Sequence, residues 1–298
     1  MKKFFLMAVA ALLTISCTNN NEETVVNAQD EQNAKVPVRV HVDGFSVTQE
    51  DFPLTRTATA VASYEGVKAI TLAFYKGSTE VLKTTQIKGS HDPGETFGEF
   101  ECSLDMGSYT MVVIARGNFD GDVLNLTSPT SAAYTSDHVR ETFAATQEVN
   151  VTSNTPLDLT AVLNRVVAKV TIASTDNRTA NVANIRATFS AGGKSFSPTT
   201  GLATVNTGFS NTVQGSGTNG TTSVADNYIF LATDEQTMDV TIETLDAEQN
   251  VLFSKTVSDV PLKRNRTTTL TGKMYAVDAA AGSFTLNSDW LSGNNVGF

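Results

Sequence analysis

Val36-Pro37-Val38-Arg39-Val40-His41-Val42-Asp43-Gly44 is the stretch from which the fold can be read. Four valines alternate with Pro37, Arg39 and His41. A period of two gives one apolar face and one wet face, so the segment is expected to be a half-buried β-strand. Pro37 lies near its start, where a missing N–H is tolerable. Downstream, Pro53-Leu54-Thr55-Arg56-Thr57 sits in a Thr- and Ala-rich segment with no periodicity. Loose segments of that kind are where proteases cut. Two readings follow. In one, the strand hangs on a cleavable tether, and its removal opens an apolar groove that another strand could fill. In the other, it is an ordinary first strand followed by a solvated arginine.

The residues before this strand have the form of an export signal. Met1-Lys2-Lys3 is a basic start, and Phe4 to Ile15 is an apolar run too short to span a bilayer as a stable helix. It ends in Leu13-Thr14-Ile15-Ser16-Cys17, a small residue directly before a cysteine, which resembles a bacterial lipobox. Residues 1–16 are then a lipoprotein signal peptide and Cys17 is the lipidated first residue, palmitate-type chains included. Each buried CH₂ adds roughly 0.8 kcal/mol to such an anchor. The competing reading is a plain secretory signal with an incidental cysteine. Residues 17–34, beginning Thr18-Asn19-Asn20-Asn21-Glu22-Glu23, form a polar tether too hydrophilic to fold.

Composition narrows the function classes. The chain of 298 residues carries 21 Lys and Arg against 31 Asp and Glu, a net charge of −10. That balance argues against nucleic acid and against adhesion to anionic lipid by charge alone. The only cysteines are Cys17 and Cys102. With Cys17 lipidated, no intramolecular disulfide remains, and stability must come from packing. Cys102 alternates with Phe100 and Leu104, so it is expected to be a small buried apolar side chain. Threonine and valine are abundant and helical patterning is scarce, an all-β signature.

Further strands are expected at Val67–Tyr75, with Ile70, Leu72 and Phe74 inward, at Val81–Ile87 after the Lys76-Gly77-Ser78 turn, and at Phe97–Leu104. Tyr109-Thr110-Met111-Val112-Val113-Ile114-Ala115 is the most apolar segment of the first half and should be central. Thr135–Thr146 is the one place where a short helix is allowed, with Val139, Phe143 and Ala144 on one face. Gln147–Val151 and Leu157–Val162 complete the half. Leu163–Ile172 opens the second half, with Val166, Ala168, Val170 and Ile172 on one face. Strands follow at 183–190, 227–232, 238–245, 251–257 and 263–275, and a mobile loop is expected over Thr207–Thr222. A last alternation, Ser283-Phe284-Thr285-Leu286-Asn287-Ser288-Asp289-Trp290, carries the only tryptophan. Strands of this length with turn signals between them and no βαβ pattern point to β-sandwiches.

Signs of catalysis are few. His41, His91 and His138 have no metal-type spacing, and no nucleophile motif or phosphate-binding glycine loop occurs. Asp120-Gly121-Asp122 has the start of a calcium loop without its remaining oxygen ligands, and reads as a hairpin turn. The expectation is a non-enzyme with no cofactor.

Taken together, Val36–Val42 followed by Arg56, Val67–Tyr75, Gly107–Ala115, Arg165–Val170, Leu262-Lys263-Arg264-Asn265-Arg266-Thr267 and the terminal strand with Trp290 resemble the fimbrillins, the FimA-like subunits of type V pili with their anchor and tip relatives. The resemblance covers nearly the whole chain. It implies two transthyretin-like β-sandwich domains, placed at 35–160 and 161–298. It implies lipoprotein export to the outer membrane and cell surface, and cleavage by an arginine-specific protease between Arg56 and Thr57. It also implies polymerisation with other copies or related subunits. In that scheme Val36, Val38, Val40 and Val42 form the displaced strand. Residues 283–298 supply the donor, with Phe284, Leu286 and Trp290 as its anchors. The ligand on a host or bacterial surface is unspecified. Other roles for the same sequence are an uncleaved lipid-anchored pilus anchor and a surface lipoprotein that binds glycan or protein.

Overall fold

A computed structural model describes residues 35–46, 63–90, 96–117, 123–275 and 284–289. The signal segment, the tether with Cys17, the Arg56-Thr57 site and Trp290 lie outside the described residues, as do His91 and Asp120-Gly121-Asp122. Within them the chain is all-β, with eighteen strands and no α-helix.

The first half supplies β1 (Val36–Ser46), β2 (Ala69–Lys76), β3 (Thr79–Ile87), β4 (Glu99–Leu104) and β5 (Gly107–Arg116). After two short strands, β6 (Leu124–Ser128) and β7 (Ser131–Tyr134), come β8 (Thr142–Val151) and β9 (Leu157–Arg165). Seven of these form one sheet in the order β3-β2-β5-β8-β9-β1-β4. Its weak point is the β8–β9 ladder, which pairs Phe143 with Arg165 and Ala144 with Asn164, with one more backbone bond from the Val166 N–H to the Thr142 carbonyl at 3.0 Å. There the sheet turns a corner. The layer β3-β2-β5-β8 then faces the layer β9-β1-β4 across one core, where the four valines of β1 meet Ile70, Leu72, Phe74, Met111, Val113 and Leu163.

Period two explains why these residues choose their faces. Tyr109, Met111, Val113 and Ala115 of β5 point into that core, while Val112 and Ile114 point out of it. The outward pair is buried too. Together with Ala73 and Tyr75 of β2, they pack under Leu126, Ala132 and Tyr134 of β6 and β7. Both faces of β2 and β5 are therefore covered, which is why β5 reads as a continuous apolar run.

The second half supplies β10 (Ala168–Ser174), β11 (Asn184–Phe189), β12 (Ser195–Phe196), β13 (Phe209–Val213), β14 (Val224–Ile229), β15 (Glu235–Leu245), β16 (Val251–Lys263), β17 (Thr267–Gly272) and β18 (Thr285–Asp289). A sheet β14-β10-β17-β18 lies on a sheet β13-β11-β15-β16. Ala168, Val170, Ile172, Leu270 and Ile229 from the first meet Ile185, Ala187, Val240, Ile242 and Leu262 from the second, a β-sandwich core. The small β12 joins β7 and β6 in a three-stranded sheet, so this sheet draws on both halves of the chain.

Four local expectations need correction. Thr135–Thr146 holds no helix: it is irregular up to Glu141, and Thr142 begins β8. Phe143 faces the first core while Val139 and Ala144 face the cluster under β6 and β7, because consecutive strand residues point opposite ways. The loop expected over Thr207–Thr222 contains β13, whose Phe209 lies 5.4 Å from Phe189. Its polar look comes from Asn211, a buried side chain whose Nδ2 donates to Asn227 Oδ1 on the facing sheet at 2.9 Å. Leu163–Ile172 is not one strand. β9 ends at Arg165, and Val166 and Val167 pack in the third cluster while Ala168, Val170 and Ile172 enter the second core. Likewise 263–275 is broken at Asn265, which takes φ 60° in the turn between β16 and β17, a conformation asparagine tolerates.

Candidate functional site

The feature with functional shape is the place occupied by β1. It is an interior strand, antiparallel to β4 on one side (Val38 opposite Cys102, Val40 opposite Phe100) and parallel to β9 on the other (Val38 opposite Leu157, Val42 opposite Ala161). Val36, Val38, Val40 and Val42 are all at most 2% exposed. The structure thus brings together the four valines that the sequence pattern grouped, and it makes β4 and β9 the walls of their slot.

The outer face of β1 is charged. Arg39 Nη2 donates to Glu101 of β4 at 3.1 Å, and its Nη1 lies 4.0 Å from Asp158 of β9. His41 is held between Glu99 of β4, through Nδ1, and Asp43, whose carboxylate lies 3.1 Å from Nε2. Partial burial acts to lower the His41 pKa, but the hydrogen bonds and negative charges of Glu99 and Asp43 outweigh it and the net shift is upward. These pairs are exposed, so each contributes at most about 1 kcal/mol. The four valines matter more, since burying each side chain is worth roughly 1.5–3 kcal/mol relative to leaving it exposed.

Cys102 sits on β4 opposite Val38, partly buried and packed against the first core. Burial raises its thiol pKa, so the thiolate is scarce while β1 is in place.

Phe284 and Leu286 lie elsewhere. β18 is the edge strand of its sheet, antiparallel to β17 with Leu286 opposite Leu270. Both side chains pack on the second core, and the Phe284 ring is 6.4 Å from that of Phe253. Gly272 makes room for that ring, since a Cβ there would come within 2.8 Å of it.

A surface hollow of about 650 Å³ lies beyond the β8–β9 corner, lined by Arg165, Asp234, Glu235, Lys263 and Arg264 among others. Its charges are mutually paired: Lys263 with Glu235 at 2.6 Å, Arg264 with Asp234 at 2.7 Å, Arg165 with Glu141 at 2.8 Å. Among the described residues no group of three or more His, Cys, Asp or Glu is placed to hold a metal ion. One residue at the slot carried no sequence signal that singled it out: Gln86, whose inward position on β3 could be counted from the alternation. Arg165, from the Arg165–Val170 stretch of the resemblance, lies past the slot where the sheet turns, and its Nε donates to Glu141 at 2.8 Å.

The profile of DUF6562, described as a family of unknown function, matches residues 13–291. The chain belongs to that family. No curated protein matches this DUF6562 member. Among solved structures it is similar to the fimbrial anchor protein Mfa2 from Porphyromonas gingivalis, at 12% identity and a TM-score of 0.49, over 89% of this chain and 99% of that one. It is also similar to a candidate adhesin from Bacteroides ovatus, at 13% identity and a TM-score of 0.48, over 83% of this chain and 88% of that one. A third is the tip fimbrial protein Mfa3 from Porphyromonas gingivalis, at 11% identity and a TM-score of 0.38, over 86% of this chain and 100% of that one.

Proposed function

We propose that this chain is a structural subunit of a cell-surface pilus. In this proposal it is exported as a lipoprotein on Cys17, cut between Arg56 and Thr57, and polymerised by exchange of a β-strand. The observation that carries the reading is the setting of β1. It is an interior strand with four buried valines, and the segment joining it to the rest of the chain contains Arg56. One cut there frees the strand. Its departure leaves two unpaired backbone edges and an apolar slot between them, a site for β-strand addition. An incoming segment with alternating side chains fills it, and residues 283–298 with Phe284, Leu286 and Trp290 are the donor proposed from this chain. Such a head-to-tail contact does not close on itself and yields a filament. The reading agrees with the roles named for the fimbrial anchor and tip proteins above, but takes its weight from β1.

A second reading has one observation in its favour. β1 is in its slot with Arg39 tied to both walls and His41 to β4, the state of an uncleaved, lipid-anchored pilus anchor.

The first residue of the mature surface form separates the two. Thr57 as the N-terminus supports a polymerising subunit, and a blocked Cys17 supports an anchor. For the subunit, Arg56→Ala should give a folded monomer and remove the ladder of detergent-resistant oligomers. An undiminished ladder in that variant would sink strand exchange after Arg56.

A further inference from the structure

β4 has a single strand partner. Among the described residues Glu99–Leu104 pairs with β1 and with no other strand. When β1 leaves, as strand exchange requires, the slot keeps two walls only if something else holds β4. Its turn into β5 and its buried Phe100 and Leu104 keep it on the core. Apolar contacts alone, however, leave its backbone N–H and C=O groups without partners.

Gln86 is placed to supply what they lack. It stands on β3, at the other end of the sheet order, and is the one buried residue of that strand. Its Nε2 donates to the Glu99 carbonyl at 2.7 Å, with a longer contact of 3.5 Å to the Thr96 carbonyl. Its Oε1 accepts from the Gly98 N–H at 2.8 Å. A donor and an acceptor on one side chain thus make the paired bonds that a neighbouring strand would make through its backbone. Gly98 is held from both sides, because its carbonyl accepts from the Val42 N–H of β1 at 2.9 Å. Only the Gln86 side of that grip survives the loss of β1.

We propose that Gln86 is a latch that holds β4 as a fixed wall of the strand-accepting slot while the slot is empty. This rests on the strand-exchange reading and names the residue that makes the slot reusable. Gln86 is a positioning residue: it touches the wall and not the incoming strand.

The test uses the full chain with a specific protease site placed between residues 47 and 62, so that β1 stays bound after the cut but can be exchanged. A fluorescent peptide of the sequence Lys35–Ser46 is the probe, and hydrogen exchange of the Gly98 amide is followed as β1 is released. In the parent, that amide should stay protected after β1 has gone, because Gln86 Oε1 still accepts from it. In Gln86→Met, which keeps the volume and loses both bonds, it should exchange freely. Peptide affinity should fall about tenfold, the effect of one to two buried hydrogen bonds. The uncut variant should still fold, since β1 then pairs with β4. Equal peptide affinity and equal exchange in variant and parent would overturn the latch and leave strand exchange standing. Free exchange of the Gly98 amide in the parent once β1 is out would overturn it too, even if the variant does not fold. Failure of the cut parent to take up the peptide at all would remove strand exchange, and the latch with it.

Discussion

Val40 and Arg39 are neighbours on β1 with opposite tasks. Val40 is fully buried in the first core, and Arg39 is salt-bridged in the open. Val40→Ala should cost about 2 kcal/mol, from the lost methyls and the cavity left behind. Arg39→Ala should cost less than about 1 kcal/mol. Urea denaturation of the two variants checks this, and equal losses would mean that the charged face, not the valines, holds the strand. His41 adds a pH dependence whose sign is fixed. Its folded pKa is raised above the ordinary 6.5, so its contribution is fully present below that value and fades as pH rises through the folded pKa. His41→Gln should therefore melt below the parent at pH 5.5, by about 1 °C given the exposure of the pair, and with it at pH 8.5. A difference that grew toward pH 8.5 would contradict the assignment.

At the scale of elements, β1 and β18 differ in how they are held. β1 is paired on both edges; β18 is paired on one and pinned by Phe284 over Gly272. Gly272→Ala should push that ring away and cost about 1–3 kcal/mol, the usual range for overpacking. Faster hydrogen exchange in 285–289 than in the neighbouring β17 would confirm where the loss falls; unchanged exchange there would refute the pinning. Cys102 reports on the other strand. With β1 in place its thiol should react slowly with a neutral alkylating reagent. After cleavage and release of β1, labelling should quicken, because Val38 no longer stands opposite. Labelling at one rate in both states would mean that β1 does not shield the slot. These elements also mark how much was legible. β1, β2 and β15 were readable because their alternation is strong and local, and β5 because its apolar run is continuous. β13 was not, because its inward Asn211 looks like a loop residue until Asn227 is placed across from it.

For the molecule as a whole, the third cluster decides how the chain behaves. Phe230 from the second half stacks on Phe196 at 4.3 Å and lies 6.3 Å from Tyr134 of the first half. Around them pack Val112 and Ile114 of β5. A shared core of this kind couples the two halves, so the parent should unfold in one calorimetric transition. Phe230→Ala should lower stability by about 3–5 kcal/mol and resolve that transition into two. Two transitions already present in the parent would show that the cluster does not couple them.

The sequence by itself determined the class of fold and the two faces of its strongest strand. Side-chain alternation is a property of a few consecutive residues, and Val36, Val38, Val40 and Val42 express it without reference to the rest of the chain. The resemblance carried by widely separated stretches added the expectation that this strand can leave. That β1 is interior, that its walls are β4 and β9, and that Gln86 is hydrogen-bonded to one of them could be seen only with the chain folded. Those are pairings between residues many positions apart, with no local pattern that chooses one partner over another. The burial of β2 and β5 on both faces was settled in the same way. Val112 and Ile114 could face water or a second core with equal local propriety, and the presence of Leu126, Tyr134 and Phe230 above them is what makes it a core.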